Sequence, residues 1–269
     1  MVSATAREAA VPDHIDTFVR YSERAADGGY IEANEKYSFE MEDHPARVAN
    51  ARLADTSWEA NGFALLKHPI DINFADPEDV KARYYPEAAR LVRELTGASE
   101  VFPFLGILRG GEQKLGGGPA LSAHVDFNGP MLRDWIGRLV PDRAAELSAK
   151  RLVNINLWRG TKPVENFPLA LCDARSVEKG DFLRVRLGKS DEPVTDDTPC
   201  GLNMAYNPAH RWYYFPMMQP DEVLAFRLFD TANPEWKMTG HTAIEDPTSA
   251  PGSPKRESFE LRTIAVFDA

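Results

Sequence analysis

The stretch RLVNINLWRGTKPVENFPLALCDA (residues 151–174) decides the fold. It holds two apolar runs, Leu152–Trp158 and Leu169–Ala174, each of strand length, separated by Gly, Thr, Lys and Pro. Runs of this kind bounded by turn residues read as β-strands. The texture continues downstream through Phe182–Leu187, Met204–Tyr206, Trp212–Phe215, Val223–Phe229 and Phe259–Phe267. No helical pattern interrupts these runs, so they predict a sandwich or barrel and not a doubly wound sheet.

Upstream the pattern changes. Pro130–Lys150 has helical spacing (Leu132, Trp135, Ile136, Leu139), and Val101–Leu108 is a further β-type run. Asp76-Pro77-Glu78-Asp79 has the marks of a helix start: an Asp cap, a proline in the first turn and acids behind it. That helix is divided near Pro86 and stops at Gly97. Phe63–Leu66 reads as a strand. Residues 1–57 read as an N-terminal arm packing on the core, and residues 58–269 as a single domain. The glycine-rich segment 109–119 (RGGEQKLGGGP) lacks the Gly-Lys-Ser/Thr ending of a P-loop and reads as a loop or lid. The fold class is therefore mainly β with N-terminal helices, a jelly-roll core.

Composition narrows the function. The 269 residues carry a formal net charge of −10, which argues against a phosphate-binding surface and so against nucleic-acid partners. No apolar run approaches the length of a membrane span. Two cysteines, Cys172 and Cys200, give no disulfide framework, and the N-terminus shows no apolar signal core; both features predict a cytoplasmic protein. Nothing in the sequence fixes the oligomeric state.

Six histidines occur, and His124 is singled out by its neighbours. In Ser122-Ala123-His124-Val125-Asp126-Phe127, His124 and Asp126 lie two apart, on one face of a strand. Imidazole and carboxylate on one face, joined by a second imidazole, form the facial triad of non-haem Fe(II) oxygenases. The third ligand is His241, with His210 as the alternative. His241 is followed by Arg256-Glu257-Ser258, a guanidinium and a hydroxyl suited to the distal carboxylate of 2-oxoglutarate. Arg262 shares their strand parity and is a second candidate for that carboxylate or for an ion pair with Glu260. Arg159, Tyr214 and Phe127 are candidate substrate contacts, along with Trp158 and Tyr213.

Several stretches together resemble the CmcJ/NvfI-type (AsaB-like hydroxylase/desaturase) family of Fe(II)/2-oxoglutarate-dependent oxygenases. They are WEANGFALLKHP (58–69), His124-Val125-Asp126, NINLWRG (154–160), PLALCDARSV (168–177), HRWYYFPMMQPDEVLAFRLFDT (210–231), HTAIEDP (241–247) and KRESFELR (255–262). The resemblance implies a double-stranded β-helix, cupin-like, with Fe(II) held by His124, Asp126 and His241. It also implies O2 and 2-oxoglutarate as cosubstrates and a small molecule of secondary metabolism as substrate. The chain departs from the family pattern at Gly160 and at Phe127-Asn128, positions that bear on substrate choice. Retention of Asp126 disfavours halogenation and leaves hydroxylation, desaturation and oxidative cyclisation. Two other readings compete: a cupin-like isomerase or dioxygenase that does not use 2-oxoglutarate, and a jelly-roll protein that binds a ligand without catalysis.

Overall fold

A computed structural model describes residues 12–32, 36–110 and 118–268. The core of the glycine-rich segment, residues 111–117, lies outside the described residues. Fourteen strands occur among those described: β1 (His14–Ser22), β2 (Tyr30–Ile31), β3 (Met41–Asn50), β4 (Phe63–Lys67), β5 (Glu100–Arg109), β6 (His124–Val125), β7 (Arg151–Gly160), β8 (Leu169–Cys172), β9 (Phe182–Leu187), β10 (Gly201–Met204), β11 (Trp212–Tyr214), β12 (Glu222–Asp230), β13 (His241–Ala243) and β14 (Ser258–Phe267).

They form two sheets. The smaller runs β4-β12-β7-β14-β5 and is antiparallel throughout. The larger runs β1-β3-β11-β8-β13-β6-β10-β9-β2. The two sheets enclose one core between them. The small sheet is buried on both faces, which explains the high hydrophobic content of its strands. On β7, Leu152 and Trp158 face the inter-sheet core, whereas Val153, Ile155 and Leu157 face a second core. The second core is capped by the helical layer through Val80, Tyr84, Ala88, Leu91 and Val92.

That layer follows the sequence closely. The Asp76 carboxylate accepts from the N–H groups of Glu78 and Asp79, and Pro77 occupies the first turn. A π-turn over Val80–Tyr84 precedes the α-helix Tyr85–Thr96, whose second residue is Pro86. Proline has no N–H with which to close the preceding α-turn, so the winding changes here. Gly97, at φ 73°, ends the helix in the left-handed region. Downstream, the helical stretch comprises α-helix Gly129–Leu139, a 3-10 turn at Pro141–Arg143 and a short helix Ala144–Ser148.

The N-terminal arm is more regular than its sequence suggests. β1 and β3 pair along nine positions, and β3 continues the large sheet in parallel with β11. Ile15, Val19 and Tyr21 are buried on one side of β1, but polar neighbours break up this short apolar series. β1 also returns to the segment leading into β6, where the Ala123 N–H donates to the Arg20 carbonyl at 2.7 Å.

Candidate metal centre

Two of the shortest strands carry the imidazoles. His241 on β13 lies directly opposite His124 on β6 in the antiparallel ladder, and their ring centroids are 4.2 Å apart. Side chains at directly opposed positions converge on one face. Gly240 sets the depth of β13: a Cβ there would lie 2.0 Å from Met204 Sδ. Asp126 sits just beyond β6, outside regular strand, and its Oδ1 is 3.7 Å from His124 Nε2. One donor atom from each of the three residues falls within 4.8 Å of the others.

The donor atoms suit a metal ion. His124 Nδ1 lies 2.7 Å from the Ser122 carbonyl, so it carries the proton and Nε2 presents its lone pair. His241 is 2 % exposed, yet neither ring nitrogen has a hydrogen-bond partner among the described residues. Buried polar atoms are ordinarily paired, so an unpaired imidazole facing a histidine and a carboxylate fits a ligand for a cation. Burial holds the His241 pKa well below the usual histidine range and keeps the ring neutral.

Asp126 is gripped from the small sheet. Arg262 Nη2 donates to Oδ1 at 2.6 Å and Nε to Oδ2 at 3.0 Å, while Asn156 Nδ2 donates to Oδ2 at 2.5 Å. Burial alone would raise the Asp126 pKa. The Arg262 charge and the Asn156 hydrogen bond outweigh it and bring the pKa down to about 2. Arg262 Nε also donates to Glu260 Oε1 at 3.1 Å. Glu260 is raised above the ordinary carboxylate range by burial and by the Asp126 charge.

A narrow cleft opens beside the histidines, lined by Arg109, Trp158, Arg256 and Glu260 among others. Arg256 is 6 % exposed and donates through Nη1 to the Phe167 carbonyl at 2.7 Å; its guanidinium lies 5.3 Å from the Trp158 ring centre. Burial, with the nearby charge of Arg109, brings its pKa down to about 10, so it remains a cation. Ser258 Oγ is buried without a partner among the described residues. A buried cation lining the cleft beside the histidines suits an anionic oxygen ligand such as a carboxylate, and the orphaned Ser258 hydroxyl lies two residues along the chain from it.

The remaining sequence candidates divide. Arg262 does not line the cleft; its guanidinium is committed to Asp126 and Glu260, which is the ion-pair alternative of its two readings. Arg159 is corrected. It points to the opposite face of β7 from Trp158, fully buried, with Nη2 donating to the carbonyls of His68 and Pro220 and its guanidinium between Phe74 and Tyr84. Tyr214 is buried in the inter-sheet core on β11, away from the cleft, and burial pushes its hydroxyl up to about 12. Phe127 is placed near the site: the Arg262 guanidinium lies 5.0 Å from its ring centre. His210 is engaged elsewhere, between Asp181 (3.1 Å) and the Tyr21 hydroxyl (3.0 Å). Two inward residues escaped the sequence reading: Asn154 and Asn156. Their signal was present, as polar residues at alternating positions of a strand that is mostly apolar.

Fold and site together define a class: a cupin-like double-stranded β-helix with two imidazoles and a carboxylate gathered between its sheets. The chain belongs to the oxidoreductase/YMDC permease-like domain family, whose model matches residues 18–267. Among curated relatives, the hydroxylase/desaturase efuI of Hormonema carpetanum is 29 % identical, over 94 % of this chain and 95 % of that protein. The Fe(II)/2-oxoglutarate-dependent dioxygenase nvfI of Aspergillus novofumigatus is 26 % identical over 88 % and 86 %. Among solved structures, the iron and alpha-ketoglutarate-dependent endoperoxidase NvfI superposes with a TM-score of 0.84, covering 96 % of this chain and 99 % of that one. At 21 % identity that likeness is one of fold. The hydroxylase/desaturase resemblance seen in the sequence motifs is thereby met. No helix among the described residues is long and apolar enough to cross a membrane.

Proposed function

We propose that this chain is a non-haem Fe(II)- and 2-oxoglutarate-dependent oxygenase that oxidises a C–H bond of a small molecule in secondary metabolism. The observation that carries the reading is the unpaired, buried His241 imidazole set against His124 and Asp126. His124, Asp126 and His241 would hold the iron, and Arg256 with Ser258 the distal carboxylate of 2-oxoglutarate. Fe(II) with bound 2-oxoglutarate supplies O2 activation coupled to decarboxylation, giving succinate and CO2 while the substrate is oxidised. The protein's own contribution is placement. The neutral His241 ring offers a lone pair without losing a proton, and Asp126 is ionised well below neutral pH. Arg256, set against Trp158 at the cleft, orients an anion beside the triad. Burial of the inter-sheet core excludes water from one side of the reaction. Hydroxylation, desaturation and oxidative cyclisation are distinguished by where the substrate's C–H bond is held. The free, buried Cys172 and Cys200 support a cytoplasmic setting.

Both rivals are disfavoured by the cleft. A cupin-like enzyme that does not use 2-oxoglutarate has no need of the Arg256/Ser258 pair, and a non-catalytic jelly roll has no need of an unpaired His241. Anaerobic titration with Fe(II) and 2-oxoglutarate tests the reading. A weak visible absorption should appear only when both are present and be lost in His241→Ala. Metal binding without that absorption would favour the first rival, and no metal binding the second.

A further inference from the structure

The two oxygens of Asp126 are not equivalent. Oδ2 accepts from Asn156 Nδ2 at 2.5 Å and from Arg262 Nε at 3.0 Å, so both of its lone-pair directions have donors. Oδ1 accepts from Arg262 Nη2 alone and is the oxygen 3.7 Å from His124 Nε2. The donors on Oδ2 are themselves fixed. Asn156 is fully buried on β7, and its amide oxygen lies 3.4 Å from Asn154 Nδ2, which also donates to the Thr263 carbonyl at 3.0 Å. The reversed amide would set oxygen against a carboxylate, so the NH2 must face Asp126. The Arg262 Nε–H that donates to Oδ2 is shared with the buried Glu260, which helps hold the guanidinium in place.

We propose that Asn156 and Arg262 act as positioning residues that confine Asp126 to binding the metal through Oδ1 alone. The inference rests on the Fe(II)/2-oxoglutarate reading above. Its consequence is a matter of vacant positions. Two imidazoles and one carboxylate oxygen leave three positions on an octahedral ion, enough for a chelating 2-oxoglutarate and O2. A carboxylate that chelates through both oxygens leaves two, and the cosubstrate would then fill the site before O2 could enter. A neutral amide and a tethered guanidinium, both from the facing sheet, hold Oδ2 back while leaving Oδ1 turned to the histidines.

The test compares the native protein with Asn156→Ala, both loaded with Fe(II) without oxygen. The variant should keep or tighten its Fe(II) affinity, while the dissociation constant of 2-oxoglutarate from the loaded protein rises about tenfold. A merely structural Asn156 would weaken metal and cosubstrate binding in parallel with the melting temperature. X-ray absorption or a crystal structure of the Fe(II)-loaded native protein gives a readout that does not depend on the variant folding: one Asp126 oxygen on the metal is expected. Chelation through both oxygens, or unchanged 2-oxoglutarate affinity in folded Asn156→Ala, overturns the clamp alone. Absence of any Fe(II)/2-oxoglutarate absorption in the native protein overturns the functional reading and the clamp with it.

Discussion

Removing the Arg256 guanidinium should weaken 2-oxoglutarate far more than it weakens the protein. Arg256 uses Nη1 on the Phe167 carbonyl and lines the cleft beside both histidines. A hydrogen bond to a charged partner contributes about 1.5–3 kcal/mol net. At about 1.4 kcal/mol per factor of ten, loss of one such bond raises the dissociation constant roughly 10- to 140-fold. The stability change has opposing parts. Arg256→Ala bares the Phe167 carbonyl but also removes a buried cation that the site holds with its pKa lowered to about 10, so the melting temperature should move little. Arg256→Lys should fall between, because it keeps the charge and loses the planar fork. The assay is anaerobic titration of the Fe(II)-loaded variants with 2-oxoglutarate, followed by visible absorption, beside a thermal melt. A folded Arg256→Ala variant that binds 2-oxoglutarate as tightly as the native protein would refute the reasoning and move the carboxylate contact elsewhere in the cleft.

Other outcomes follow from the same geometry. Arg262→Met leaves Asp126 and Glu260 buried without their shared cation and should cost about 3–5 kcal/mol at neutral pH. Because the Glu260 pKa in the fold lies above its unfolded value, protonation favours the folded variant, so denaturant melts should show stability recovering as pH falls from 7 toward 5. Arg159→Met bares the His68 and Pro220 carbonyls and should lose about 1–3 kcal/mol for each in chemical denaturation, with 2-oxoglutarate affinity of the folded fraction unchanged. Gly240→Ala drives a methyl into Met204 and should destabilise by about 1–3 kcal/mol, while Fe(II) affinity falls as β13 shifts; intact Fe(II) affinity would show that β13 can yield without moving His241.

The sequence made the strand-rich half legible because β7, β12 and β14 are long and buried on both faces, so they are rich in apolar residues despite a few polar ones. The strands that carry the metal ligands were not legible as strands: β6 spans two residues and β13 three, too few for any period to register. His124 and His241 were found through their chemistry, and the ladder that brings them together exists only in three dimensions. The arginines show where parity reasoning reaches its limit. Ser258, Glu260 and Arg262 do share a face, but four residues along a strand cover about 13 Å, which carries Arg262 from the clamp end to the Asp126 end. Arg256 precedes the strand, so no alternation rule applied to it. Arg159 and Trp158 are neighbours and so take opposite faces of β7, with Trp158 on the inner one.

The pairing of His124 with His241 also bears on how the empty protein behaves. These residues stand 117 positions apart in the chain (241 − 124), and the ladder joining them is a single residue pair. An ion bound to both would serve as a removable cross-link, closing a long loop at a point where the backbone alone supplies little cohesion. Amide protons of residues 122–126 and 240–243 should therefore exchange with solvent among the fastest of the inter-sheet core in the apo protein and slow sharply on loading. The metal would then be a fastener of the fold as well as a reagent, its stabilisation rising with the logarithm of its concentration above the dissociation constant.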